Sequence, residues 1–468
     1  MASLLFSLLL CLSFLIISPS SSSTITLTLS PNPKSKSSSN PWEFSSNLVK
    51  TTIDRVHHLK HPKKNISSST TFHGTSSTSL YARSYGGYTV SLSFGTPPQE
   101  IPLVFDTGSS LLWVPCTSRY ACSNCTFSNV DASNITTFKP KLSSSTHVIG
   151  CHNPKCGYVF GDDDMTTRCG SKCGSNCPCP SYLLQYGLGA TAGVAISETL
   201  DLPGGVVRDF LLGCSLLSIR QPQGIAGFGR SPTSLPSQLR LGKFSYCLLP
   251  HKFDDTPKNS KLILAGAGEK KFPSAYKSPK DVLKYTPFYK NPTRAPYNEY
   301  YYVHLTKITV GKKHVKLPHK YLVPGLKGDG GTIIDSGTTL TFMERPLYEP
   351  LLKEMVEQIT HYKRANDVEV LSGFGLCYDI KDARNVSFPK LVLHYKGGAK
   401  MLMPLDNYFS LISDLGVWCL TIVTDTSPGA PSGPVGPGII LGNYQQQNFY
   451  MEYDLENQRL GIKKHKCA

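Results

Sequence analysis

Acidic residues are in short supply: 32 Asp and Glu stand against 48 Lys and Arg, a formal charge of +16 at neutral pH. Charge of either sign is sparse, at 17% of 468 residues, while Gly (39) and Pro (34) are plentiful. That balance excludes a coiled coil or a disordered tail and fits a turn-rich, strand-rich globular chain. Beyond the N-terminus no apolar run is long enough to span a bilayer. There is no His-Glu-x-x-His stretch and no Gly-x-Ser-x-Gly elbow, so zinc-peptidase and serine-hydrolase readings lack their motifs. Gly227-Phe-Gly229 is too short for a nucleotide loop, and the 13 His are scattered. No cofactor and no metal are expected.

What is present begins with a secretory signal. Leu4 to Ile17 is an apolar run, short for a membrane helix, and the small residues Ser18 to Ser23 follow it. The alternative is a membrane anchor; length and flanks favour a cleaved segment over residues 1–23. Of 15 Cys, Cys11 lies in that segment, leaving an even number for disulfides in an oxidising compartment. The cluster Cys169, Cys173, Cys177 and Cys179 has a zinc alternative, which the secretory route disfavours. Asn65, Asn134 and Asn385 open glycosylation triplets; the triplet at Asn124 is poorer, because Cys125 follows. The route implies a secreted protein of the extracellular space or cell wall, with the vacuole as the other destination.

Part of the charge is local. Residues 24–84 hold eight Lys or Arg against two acids, so +6 belongs there and +10 to the remainder. No recognition motif accompanies the excess, so nucleic-acid binding is not expected; solvation or adhesion to acidic polysaccharide fits better.

The length suits two domains plus processing segments. Residues 24–84 are rich in Ser, Thr and Lys and are read as a prosegment, with regular structure expected only from about Tyr85. Tyr88–Phe94 alternates apolar and polar and then meets a turn, as a half-buried strand does. Ile101–Phe105 is the next strand and delivers Asp106. A Cys-dense insertion spans 116–179, a hairpin 181–193, and the first lobe 85–290. The second lobe, 291–468, contains a helix over Arg345–Thr360 and a Pro/Gly/Ser-rich loop over Thr424–Gly438.

One long unit occurs twice. Val104-Phe-Asp-Thr-Gly-Ser-Ser-Leu-Leu-Trp113 parallels Ile333-Ile-Asp-Ser-Gly-Thr-Thr-Leu-Thr-Phe342, and each is followed by an apolar-apolar-Gly step, Ile225-Ala226-Gly227 and Ile440-Leu441-Gly442. Two copies imply two similar lobes, each bringing one carboxylate to their interface. Two carboxyl groups a few ångströms apart cannot both ionise easily, so they share a proton; one takes a proton from water while the other gives one to a carbonyl oxygen. Asp106 and Asp335 are the candidate catalytic pair. Gly108 and Gly337 allow the tight turns, Ser109 and Thr338 donate to the outer carboxylate oxygens, and Thr107 and Ser336 reach across between the loops.

Five ordered stretches carry a resemblance: Phe105-Asp-Thr-Gly-Ser-Ser-Leu-Leu-Trp-Val-Pro-Cys116, Gly224-Ile-Ala-Gly-Phe-Gly229, Phe244-Ser-Tyr-Cys-Leu248, Asp335-Ser-Gly-Thr-Thr339 and Leu441-Gly-Asn-Tyr-Gln-Gln-Gln-Asn448. From Tyr85 to Cys467 the chain resembles the pepsin-like aspartic proteases, more closely their plant nepenthesin branch. The resemblance implies a mainly β, bilobal fold, a cleft between the lobes, and a flap with Tyr186 and Gly187 at its tip and Trp113 as the contact of Tyr186. Leu188-Gly189-Ala190 departs from the acidic residue and Gly-Ser common in relatives, which bears on flap polarity. It further implies a monomeric endopeptidase for peptide and protein substrates, inhibited by pepstatin-like compounds, with bridges Cys116–Cys122, Cys125–Cys214, Cys247–Cys467 and Cys377–Cys419. The six Cys from 151 to 179 stay unassigned. A silent, inhibitor-type relative with this fold is the alternative. A Lys or Arg of the prosegment is expected to pair with the ionised carboxylates at neutral pH, with Lys50, Arg55, Lys60, Lys63 and Lys64 as candidates.

Overall fold

Alternating apolar residues build the first lobe, and the second lobe repeats the scheme with shorter strands. In a computed structural model of the protein the described residues are 24–31, 41–60, 87–125, 135–160, 169–170, 177–186, 189–203, 205–221, 223–250, 260–268, 282–381, 386–411, 416–426 and 436–467. The signal region, Lys63, Lys64, Asn65, Asn134, Asn385, Cys173, Gly187 and most of the loop over 424–438 lie outside them.

Two elements precede Tyr85, where regular structure was expected to begin: strand β1 (Thr24–Pro31) and helix α1 (Pro41–Lys60). Thr-Ile-Thr-Leu-Thr-Leu alternates with period two, and β1 pairs on both edges inside a sheet. Helix α1 buries Leu48, Val49, Val56 and Leu59. It supplies one wall of a core whose other wall is the second lobe, so a segment poor in apolar residues still orders. Burying each such side chain contributes roughly 1.5–3 kcal/mol.

The first lobe continues with β2 (Tyr88–Phe94), β3 (Gln99–Asp106), β4 (Trp113–Pro115), β5 (Tyr182–Gln185), β6 (Ala190–Leu202), β7 (Gly205–Ile219), β8 (Gly224–Gly227), β9 (Leu241–Cys247) and β10 (Ser260–Gly266). The second lobe adds β11 (Leu305–Val310), β12 (Lys313–His314), β13 (Thr332–Ile334), β14 (Thr341–Met343), α2 (Arg345–Gln358), β15 (Leu391–Tyr395), β16 (Lys400–Leu402), β17 (Ile439–Leu441), β18 (Phe449–Asp454) and β19 (Arg459–Lys464). One large sheet runs β19-β18-β9-β10-β1-β2-β3-β8-β4-β7-β6, so the C-terminal hairpin and β1 both sit in the sheet that carries Asp106. A five-stranded sheet carries Asp335, with β13 beside β17 and β17 beside β14. Helix α2 begins at Arg345 as expected, ends two residues early at Gln358, and buries Leu347, Leu351 and Met355.

The bridges Cys247–Cys467 and Cys377–Cys419 are present. The other two implied pairings are corrected: Cys116 joins Cys214, and Cys122 joins Cys125. Strand β4 lies parallel to β7 with Val114 opposite Cys214, and the Cys116 N–H donates to Ser215 O at 2.8 Å. That pairing sets the Cα atoms of Cys116 and Cys214 5.2 Å apart, inside bridging range, and leaves Cys122 and Cys125 to each other. In the insertion, Cys151 joins Cys169 and Cys156 joins Cys179.

Candidate active site

The repeated sequence unit becomes a repeated strand crossing. β8 runs parallel to β3 with Gly227 opposite Asp106, and antiparallel to β4. β17 runs parallel to β13 with Leu441 opposite Ile334, and antiparallel to β14. Each crossing ends in a loop with an aspartate, and the two loops meet. Asp106 is 1% exposed and Asp335 is fully buried.

Each carboxylate is held alike. The Gly108 N–H donates to Asp106 Oδ1 at 2.9 Å and the Ser109 hydroxyl to Oδ2 at 2.5 Å. The Gly337 N–H donates to Asp335 Oδ1 at 2.8 Å and the Thr338 hydroxyl to Oδ2 at 2.5 Å. The loops also hold each other. The Thr107 N–H donates to Ser336 Oγ at 3.0 Å and the Ser336 N–H to Thr107 Oγ1 at 2.9 Å. Each hydroxyl then donates to a backbone carbonyl of the other lobe, Thr107 to Ile334 O and Ser336 to Phe105 O. Glycine is required at both turns for a steric reason. A Cβ on Gly108 would lie 2.5 Å from Asp335 Oδ1, and one on Gly337 would lie 2.4 Å from Asp106 Oδ1.

The dyad is asymmetric. Burial pushes the Asp106 carboxyl above its ordinary range, and neighbouring Asp335 pushes the same way against Arg55. Asp335 meets the same burial. The Arg55 guanidinium, the Thr338 hydroxyl and a hydrogen bond with Asp106 outweigh it and hold Asp335 below the ordinary range. Such a split is what two coupled carboxyls sharing a proton require.

The flap is a hairpin of β5 and β6, closed by paired hydrogen bonds between Tyr186 and Gly189. The Trp113 indole N–H donates to the Tyr186 hydroxyl at 2.8 Å, so Trp113 packs in the core and also steadies the flap. Burial pushes the Tyr186 phenol well up, so it stays protonated and able to donate.

Helix α1 fills the cleft. Arg55, 7% exposed, places Nη2 at 2.8 and 2.9 Å from the two oxygens of Asp106 and Nε at 3.3 Å from Asp335 Oδ2. Of the three candidate cations among the described residues, Lys50, Arg55 and Lys60, it is the one on the dyad. Lys60 pairs with Glu344, and Lys50 is exposed. His58, which sequence reasoning did not single out, sits 6.1 Å from the Tyr186 ring. Burial and the Arg55 charge pull it down to about 4. Asn443 lies inside the Leu441–Asn448 stretch; its side-chain amide donates to Ser336 O at 3.0 Å and ties the second loop to the chain after β17. Val56 and Leu59 rest among Tyr297, Tyr300, Tyr302, Ile333, Phe342 and Ile440. Among the described residues no His, Cys, Asp and Glu cluster suits a metal.

The chain is similar to known proteins over most of its length. Residues 88–266 match the family model described as the xylanase inhibitor N-terminal domain, and residues 300–464 its C-terminal counterpart. A probable aspartyl protease of Arabidopsis thaliana is 32% identical over 83% of this chain and 84% of its own length. Aspartic proteinase nepenthesin-1 of Nepenthes gracilis is 31% identical over 84% of this chain and 80% of its own. The chain belongs to the pepsin-like aspartic protease family and is similar to its plant nepenthesin branch. Among solved structures, a protein named edgp superposes with TM-score 0.62 at 20% identity, covering 94% of each chain. Soybean basic 7S globulin superposes at 0.60 and 18%, covering 95% of this chain and 97% of that one. Both share the fold.

Proposed function

We propose that the protein is a secreted aspartic endopeptidase made as a latent precursor, with Asp106 and Asp335 as its catalytic carboxyls. The observation that carries this reading is the matched cradle of hydrogen bonds around the two carboxylates, which a silent relative has no chemical need to keep. In the reaction the ionised carboxyl takes a proton from a water lying between the pair. The protonated carboxyl gives its proton to the scissile carbonyl oxygen. The tetrahedral diol then collapses as a carboxyl passes a proton to the departing nitrogen. Tyr186 and Trp113 close the flap over the substrate and exclude bulk water. The apolar residues on which Val56 and Leu59 rest support a preference for large apolar side chains in the substrate.

Residues 24–84 act as a removable prosegment. Arg55 lies on both buried carboxylates, in the place that a scissile bond and its attacking water would need. The glycosylation triplets and the N-terminal signal belong to the same secretory reading. The family models that match are named for xylanase inhibitors, so an inhibitor role is the second reading. One experiment separates the two. The full chain is held at acid pH, then tested for cleavage of casein and for pepstatin binding, with a xylanase inhibition assay beside it. Pepstatin-sensitive cleavage supports the peptidase. Xylanase inhibition without cleavage overturns it.

A further inference from the structure

Part of the charge excess outside residues 24–84 is concentrated in the second lobe, away from the dyad. Residues 300–328 and 386–405 contain nine lysines and four histidines but no Asp, no Glu and no Arg. The fold brings these two stretches together as the four-stranded sheet β12-β11-β15-β16. Leu305, Ile308, Val310, Leu391, Leu393 and Met401 point from that sheet into the core. Strand alternation therefore turns the intervening residues outward.

Register aligns those outward residues in rows. Lys307 pairs with His394, and His394 with Lys400, so three nitrogen-bearing side chains cross three strands in one line. His314 and Thr309 are paired in the next row. Adjacent strands lie about 4.8 Å apart, so the charges repeat at that spacing. Glu354 and Glu357 on α2 both pair with Lys313, which faces the other way at the edge, and the exposed Asp406 follows β16. The Thr309 hydroxyl lies 3.1 Å from His394 Nε2, and the Thr306 hydroxyl donates to His394 O.

We propose that this face binds a carboxylated polysaccharide, a polyuronate whose regularly spaced carboxylates lie along the row Lys307–His394–Lys400. The face offers lysine and imidazole point charges with hydroxyl groups between them, which suits carboxylates on a sugar backbone. It lacks the planar arginine fork that favours phosphate. It exposes no aromatic ring on which a nucleobase could stack. Burial and the charges of Lys307, Lys400 and His314 hold His394 below its ordinary value. A polyanion favours its protonated form, so binding should tighten from about pH 7 to about pH 5, where uronate carboxylates stay ionised. The proposal does not depend on whether the dyad is active.

The test uses the full chain on immobilised polygalacturonate, with fully methyl-esterified polymer as the uncharged control. Lys307→Gln with Lys400→Gln is compared with Lys139→Gln and Lys261→Gln, exposed lysines of the first lobe. The sheet pair should lower affinity by roughly tenfold and flatten the salt dependence by about one to two counterions, while the control pair changes little. Equal loss in both pairs would reduce the effect to net charge and overturn the proposal. So would absence of binding at about 0.1 M salt, or preferential retention on single-stranded DNA or anionic vesicles. Thermal unfolding of each variant checks that the fold is intact.

Discussion

Replacing His58 by Gln should move release of α1 to lower pH. His58 faces Arg55 on its own helix, Asp335 on the second lobe and Tyr186 on the flap. Docked, it titrates at about 4. Released into water it returns to about 6.5. A base held below its free value binds its proton only after leaving, so docking has its full strength above about pH 6.5 and loses it as pH falls towards about 4. Across that window the loss reaches about 3 kcal/mol, or roughly two orders of magnitude in the docking equilibrium. Asp335 behaves differently. Its docked value is depressed, so its grip on Arg55 persists until pH falls below the ordinary carboxylate range. His58 therefore loosens docking over that window, above the range in which Asp335 lets go of Arg55. The assay is the lag before cleavage of a quenched apolar peptide after a jump to a chosen pH. In the wild type the lag should shorten steeply from about pH 6.5 to about pH 4, whereas in His58→Gln it should stay long until the dyad protonates. Superimposable lag profiles, or a His58 resonance titrating near its free value in the intact chain, would refute the reasoning.

Arg55→Gln leaves two buried carboxylates without their cation, a loss of roughly 3–5 kcal/mol of docking; pepstatin should then bind at a pH where the wild type excludes it, and unchanged exclusion would sink the plug. Asp106→Asn and Asp335→Asn should each lower turnover by roughly 10²–10⁴-fold with an unchanged circular dichroism spectrum; wild-type turnover in either would remove that residue from the dyad. Tyr186→Phe removes the acceptor of the Trp113 indole N–H, a net change of about 1 kcal/mol. Turnover should fall several-fold on a short peptide, and an unaltered rate would leave that hydrogen bond without a role. Peptide mapping without reduction should recover Cys116 linked to Cys214 and Cys122 linked to Cys125; a Cys125–Cys214 peptide would restore the pairing implied by resemblance.

The dyad was legible because its chemistry is local. Asp, hydroxyl, Gly and hydroxyl must follow one another for the loop to satisfy its own carboxylate, and the sequence repeats that order at Asp106 and Asp335. The cross-lobe bonds of Thr107 and Ser336 needed only the further idea of two lobes face to face. Helix α1 was not legible, because its partners are remote: Arg55 meets Asp335 280 positions away, and its apolar stripe is short by itself. His58 was hidden for the same reason, since a histidine among lysines reads as solvated until the flap is seen above it. The bridges near Cys116 failed on proximity. Three cysteines within ten residues satisfy several pairings, and only the register of β4 against β7 chooses.

The C-terminal hairpin has a consequence in time. Phe105, just before Asp106, packs edge-on against Tyr246 of β9, and Tyr246 shares a hydrogen bond of 3.0 Å with Tyr453 of β18. Asn443 and the strands after it thus complete the support of both aspartate loops. A ribosome adding about 5–20 residues per second makes them roughly 20–80 s after α1. Helix α1 therefore leaves the ribosome before the support of the two aspartate loops is finished. By the time both loops exist, Arg55 has long been synthesised. On the proposed reading as a latent precursor, the inhibitory helix would be synthesised before the dyad it covers is complete.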